Sequence, residues 1–156
     1  MFHIVLFQPE IPPNTGNIIR LCANSGARLH LIRPYGFELE NAKLRRAGLD
    51  YREWADVREY DSLGEFMEKT PLGNLYALST KGSCRYDEKS FKSGDGFLFG
   101  PETRGLPDEI LNNLDRQHRL YVPMLPHSRS LNLSNAVSVV LYEAWRQVRF
   151  DGAKTK

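Results

Sequence analysis

The sequence predicts one α/β domain spanning residues 1–156, a mostly parallel sheet with flanking helices. Strand-type and helix-type segments alternate along the chain. Two short stretches, Leu75–Ser79 and Phe97–Phe99, are almost wholly apolar, as strands buried on both faces of a parallel sheet are. A chain of 156 residues builds one self-sufficient core without a disulfide or metal staple and leaves no room for a second.

Each element has its own signal. Phe2–Gln8 is a β-rich run. Asn14–Ser25 reads as a helix, with Pro12-Pro13 before it and Gly26 after it as the stop. Leu29–Arg33 is a short strand ending at Pro34, and Glu40–Ala47 a short basic helix. Val57–Tyr60 reads as a strand and Ser62–Lys69 as a helix. After the two apolar strands, Pro107–Asn113 is a helix with Pro in its first turn. Arg119–Val122 is a strand and Asn132–Arg149 the longest helix. Parallel sheets bind ligands beyond the carboxyl ends of their strands. The loops to inspect are therefore Gln8–Asn14, Thr80–Ser83, Gly100–Leu106 and Pro123–Leu131.

Composition excludes several classes. The net charge of +2 is too balanced for a general polyanion binder, so nucleic acid must be held by a local patch or by two copies of one. No apolar run approaches the roughly 20 residues that span a membrane. The N-terminus lacks the basic lead and cleavage site of a signal peptide. Cys22 and Cys84 form no CxxC pair, which fits a reducing cytoplasm and argues against zinc. The four histidines show no metal-ligand spacing, and neither GxSxG nor HExxH occurs. Gly94-Asp95-Gly96-Phe97-Leu98-Phe99-Gly100 imitates a dinucleotide fingerprint, but its third Gly is one place late and no helix follows.

Three stretches carry chemistry. In Pro12–Ser25 a stripe expected to be buried, Ile18, Leu21, Cys22 and Ser25, is set against a polar stripe of Asn17, Arg20 and Asn24. An exposed helix face would explain that polar stripe, but two Asn around one Arg also make a hydrogen-bonding surface, with a planar fork suited to phosphate or a reacting oxygen. In Leu98–Leu106 an apolar strand runs into Gly100-Pro101-Glu102-Thr103-Arg104-Gly105. A plain turn needs Gly and Pro but has no use for Glu102 and Arg104. In Val122–Ser138 a loop with two prolines enters a helix whose stripe is Leu133, Ala136, Val137, Val140, Leu141, Ala144, Trp145 and Val148. Its first turn holds more Ser and Asn than the one cap, Ser130 or Asn132, that a helix requires. The surplus lines a polar pocket or permits close packing on another chain. Lys43-Leu44-Arg45-Arg46, with Arg52 and Arg58, reads as a solvated helix face or a phosphate patch.

Together these motifs resemble the SPOUT superfamily of S-adenosylmethionine-dependent RNA methyltransferases. The likeness is nearest to the small branch that methylates the ribose 2′-oxygen of the tRNA wobble nucleotide, cytidine or modified uridine. The carrying stretches are Glu10–Asn17 through Arg20, Leu44–Tyr51, Phe99–Leu106 and Ser128–Gln147. The resemblance implies a C-terminal trefoil knot, a rare exception to the rule against knotted chains. It implies a cofactor held by Leu78, Gly100, Val122 and Ser130, with Leu131 adjacent. It names Arg20 as the key catalytic residue, supported by Asn14, Glu102 and Asn132. Lys43 and Arg46 become tRNA contacts, and Tyr142 lines the site or an interface. It further implies a cytoplasmic homodimer whose first and last helices meet and whose sites draw on both chains. Leucine tRNAs would be the substrates. The rival readings are 2′-O-methylation of another tRNA or rRNA site and a non-catalytic RNA-binding module of the same fold.

Overall fold

The structure, a computed structural model, describes residues 1–39 and 56–156. In chain order these form β1 (His3–Phe7), α1 (Pro12–Ser25), β2 (Arg28–Ile32), β3 (Val57–Tyr60), α2 (Leu63–Lys69), β4 (Leu75–Leu78), β5 (Cys84–Arg85), β6 (Gly96–Phe99), α3 (Asp108–Asn112), β7 (Arg119–Tyr121) and α4 (Leu133–Gln147). The strands make one sheet in the order β3-β2-β1-β6-β4-β7-β5, parallel at every pairing. The basic helix expected over Glu40–Ala47, with Lys43 and Arg46, lies outside the described residues.

Strand alternation divides the core into two layers. Ile4 and Leu6 of β1, Leu29 and Leu31 of β2, Tyr76 of β4, and Phe97 and Phe99 of β6 point to one face. There they meet Ile18, Ile19 and Cys22 of α1 and Val137, Val140, Leu141 and Ala144 of α4. Val5, Ile32, Ala77 and Leu98 point to the other face, against Phe66 of α2 and Leu111 of α3. Helices on both faces explain why the central strands read as apolar runs.

Several boundaries differ from expectation. α1 begins at Pro12 rather than Asn14, because its first two positions need no N–H partner and tolerate proline. It stops at Gly26, whose φ of 75° suits a residue without Cβ. α3 starts at Asp108, with Pro107 as its cap. α4 ends at Gln147, and the chain then turns through Arg149 and Phe150 at positive φ. β5 has two residues, too few for any periodicity, and was not expected. Of the stripe on α1 expected to be buried, Ile18 and Cys22 are buried while Leu21 and Ser25 are half-buried. Asn14, Thr15, Gly16 and Ile19 are buried instead. The helix is covered by the sheet and by α4 together, so its buried face is wider than one stripe. The false fingerprint is a brace: buried Asp95 accepts from the backbone N–H groups of Asn74 (2.8 Å) and Lys92 (2.9 Å), tying the starts of β4 and β6.

Candidate active site

The carboxyl ends of β4, β6 and β7 open on a cavity of about 530 Å³, within the usual range for small-molecule sites. All four loops singled out above contribute to it. Leu78, Gly100, Val122, Ser130 and Leu131, the residues implied to hold the cofactor, line it together with Asn14, Glu102 and Asn132. The wall combines apolar Leu78, Val122, Leu131 and Ala136 with polar Ser79, Thr80 and Ser130. Such a lining suits a ligand with a flat apolar ring and a polar rim.

The loops reach this place through close backbone packing. A Cβ on Gly100 would stand 2.3 Å from the Leu106 nitrogen, so residues 100–106 double back without room for a side chain. The turn is closed by Gly105 N–H donating to the Pro101 carbonyl at 2.9 Å. A Cβ on Gly82 would stand 2.3 Å from the Leu120 carbonyl carbon. Residues 79–83 lie flat on β7, with Ser79 N–H donating to Leu120 O at 3.0 Å and Ser83 N–H to Arg119 O at 2.8 Å. Lys81 then reaches across to Asp108 at the start of α3, 2.9 Å away.

A directed chain of hydrogen bonds runs along one wall. Asn132 caps α4, its Oδ1 accepting from Ser134 N–H at 2.9 Å and Asn135 N–H at 3.4 Å. That fixes its Nδ2 toward Asn14 Oδ1, 2.9 Å away. Asn14 Nδ2 donates in turn to Glu102 Oε2 at 3.3 Å. The Glu102 carboxylate also accepts from Glu10 N–H at 2.9 Å and Ile11 N–H at 2.6 Å. Ile11, the α1 cap position, offers no side-chain cap, so a carboxylate from a distant loop satisfies donors there and complements the helix dipole. Glu10 returns the contact: its carboxylate accepts from Thr103 N–H at 3.0 Å and Thr103 Oγ1 at 2.8 Å. These two donors, with Arg104 nearby, hold the Glu10 carboxyl below the usual carboxylate range.

Other expected residues stand elsewhere. Arg20 is exposed on α1 with Asn17 and Asn24, outside the cavity wall. It lies six residues beyond Asn14, roughly 9 Å further along the helix axis and on another face. Tyr142 is exposed on α4, edge-on to Trp145 with ring centroids 5.5 Å apart. Glu10, Thr103 and Gly82 were not singled out by sequence reasoning. Glu10 opens the first motif but looks like an ordinary surface carboxylate, and Gly82 shows nothing of the backbone it lies against. Among the described residues, no three His, Cys, Asp or Glu side chains gather as a metal site, and no helix is long and apolar enough to cross a membrane.

Known proteins share this architecture over the full chain. A tRNA (cytidine(34)-2′-O)-methyltransferase of Saccharophagus degradans is 59% identical over 154 residues, covering 99% of this chain and 100% of the relative. A solved structure concerned with 2-OH methylation of C/U34 on tRNA is 49% identical with a TM-score of 0.88, covering 96% of this chain and 97% of that one. The SpoU methyltransferase AviRb of Streptomyces viridochromogenes, solved in complex with AdoMet, has a TM-score of 0.80 at 28% identity, covering 94% of this chain and 60% of that one. The SpoU rRNA Methylase family matches residues 1–142, and the chain belongs to that family.

Proposed function

We propose that this protein transfers a methyl group from S-adenosylmethionine to the ribose 2′-hydroxyl of the wobble nucleotide of tRNA, a cytidine or modified uridine, with leucine tRNAs as substrates. One observation carries the reading: the residues implied to hold the cofactor share a single cavity with Asn14, Glu102 and Asn132. Relatives matching this chain end to end, and named for that reaction, support it. Incubation with radiolabelled S-adenosylmethionine and total tRNA, followed by mapping of the labelled nucleotide, tests it. Label on a wobble ribose is the expected result. Label at another RNA position, or none, overturns it.

The cofactor supplies an activated, cationic sulfonium methyl. The protein's part is then to align the hydroxyl and to favour its developing alkoxide. Leu78, Gly100, Val122, Ser130 and Leu131 would hold the cofactor. Asn14, Glu102 and Asn132 lock the two loops and the helix start that bound the cavity. Arg20 would serve the alkoxide or a neighbouring phosphate, because a guanidinium presents donors and no acceptor.

The working unit would be a homodimer in the cytoplasm, with each chain knotted around its cofactor loops. Two features support pairing. Arg20 stands outside its own chain's cavity wall, which suits a site completed by a second copy. Val139 and Tyr142 are exposed apolar residues three apart on α4, the helix that the resemblance assigns with α1 to the interface. Two copies also pool their basic patches, answering the small net charge. Lys43 and Arg46 would contact tRNA phosphates.

A further inference from the structure

We infer that Glu10 is a positioning residue for methyl-donor binding: through Thr103 it sets the height of the Gly100–Gly105 wall over the cofactor cavity. This rests on the functional reading above.

The two loops are stitched in both directions. Glu102 accepts from the backbone of Glu10 and Ile11, and Glu10 accepts from the backbone N–H and hydroxyl of Thr103, with a second hydroxyl contact at 3.0 Å. The wall loop has little internal freedom, since Gly100 already touches the Leu106 backbone and Gly105 closes on Pro101. It therefore shifts as a unit, and its attachments decide where it stands. Glu10 is itself well anchored. Gly36 N–H donates to the Pro9 carbonyl at 2.9 Å, and Gly36 packs so tightly that its Cβ would stand 3.0 Å from Glu10 Cα. Glu10 is absent from the cavity lining while Gly100 through Gly105 supply a continuous stretch of it. The hydrogen bonds that the Glu10 carboxylate makes to this wall all end on Thr103.

The test compares Glu10→Gln, Thr103→Val and Thr103→Ser with the wild type. Calorimetry measures the Kd for S-adenosylmethionine and S-adenosylhomocysteine, and steady-state kinetics with tRNA measures kcat and cofactor KM. Loss of one charge-assisted contact is expected to raise cofactor Kd and KM about five- to twentyfold in Glu10→Gln and Thr103→Val. Saturating cofactor should restore kcat to within about twofold, and Thr103→Ser, which keeps the hydroxyl, should bind like wild type. A purely structural role would lower thermal stability without this split between KM and kcat. Wild-type Kd in Glu10→Gln and Thr103→Val overturns the inference. If Glu10→Gln does not fold, Glu10→Asp, which keeps the charge but shortens the reach to Thr103, decides it. If the wild type binds neither ligand, the functional reading fails and the inference with it.

Discussion

Asn132 Nδ2 donates to Asn14 Oδ1 at 2.9 Å, joining the first turns of α4 and α1 across 118 positions of sequence. The bond has a fixed polarity. Backbone donors at the start of α4 demand the Asn132 oxygen, and the Glu102 carboxylate demands the Asn14 nitrogen. Asn132→Ala removes both the helix cap and the link, and should cost about 1 kcal/mol or more of stability with a clear loss of methyl transfer. Asn132→Asp retains the cap but sets two acceptors against each other. The opposed oxygens should lower the melting temperature even though the cap is kept, and methyl transfer should fall with them. Equal activity in Asn132→Asp and wild type would show that the link to Asn14 is irrelevant to the reaction.

Arg20 and the cavity can be separated experimentally. Because Arg20 does not line the cavity, Arg20→Ala should leave S-adenosylmethionine affinity within about twofold while lowering single-turnover methyl transfer roughly 100- to 1,000-fold, the usual scale for a lost transition-state donor. Arg20→Lys should recover little, since an ammonium lacks the planar fork. Mixing Arg20→Ala chains with Asn132→Ala chains tests whether sites are shared. Random pairing of a homodimer makes half the pairs mixed, each with one intact site, so about a quarter of wild-type activity should return. No recovery would mean that Arg20 acts within its own chain.

The fold was largely legible in the sequence because its signals are local. Apolar runs marked β4 and β6, and Gly26 and Pro107 marked helix ends. β5 escaped because two residues carry no period, and its pairing with β7 depends on a loop that lies flat on a distant strand. At the site, family likeness brought Leu78, Gly100, Val122 and Ser130 into view although they come from separate segments. Glu10 escaped for a physical reason. Its partner Thr103 is 93 positions away, and nothing nearby in the sequence separates a tethered carboxylate from a solvated one.

Gly82 offers a sharper test of the loop packing than any polar residue. Its backbone needs no positive φ, yet a Cβ would overlap the Leu120 carbonyl, atoms that cannot move without breaking the β7 pairing. Gly82→Ala should therefore lower the melting temperature strongly and abolish cofactor binding, since Ser79 and Thr80 on the same loop line the cavity. Gly26→Ala is the control. Gly26 has a φ of +75° with open space around its missing Cβ, so the penalty is conformational, about 1 kcal/mol, and cofactor binding should persist. Calorimetry on the two variants separates steric from torsional loss.

Acid should destabilise the protein through a buried histidine. His30 is fully buried, with Nε2 2.9 Å from His3 Nδ1 and Nδ1 2.9 Å from the Tyr60 hydroxyl. Burial first, then the charges of His3, Arg28 and Arg58, pushes its pKa down from 6.5 to about 3. The unfolded chain therefore binds the proton below about pH 6.5 while the folded chain refuses it until about pH 3. Stability is fully present above the unfolded value and falls as pH drops through that window. Two units below the unfolded value, the loss is about 2–3 kcal/mol, or roughly 5–10 °C in melting temperature. His30→Gln should melt lower at neutral pH but show a flatter slope between pH 6.5 and 4.5. An unchanged slope would place the acid sensitivity elsewhere.

Lys43 and Arg46 should govern tRNA affinity rather than chemistry. A net charge of +2 gives one chain little general attraction for a polyanion, so the proposed dimer would bind through a few placed cations and their duplicates in the second copy. Each neutralised phosphate contact removes about one unit from the slope of log K against log salt. In the proposed dimer Lys43→Ala and Arg46→Ala should each remove two contacts, flatten that slope by about two units and weaken tRNA binding, while S-adenosylmethionine affinity stays at wild type. Doubling of the lost slope in the dimer, relative to a variant held monomeric, would identify one such patch per chain. A slope that does not change on neutralising both residues would move the tRNA contact away from the segment containing Lys43 and Arg46.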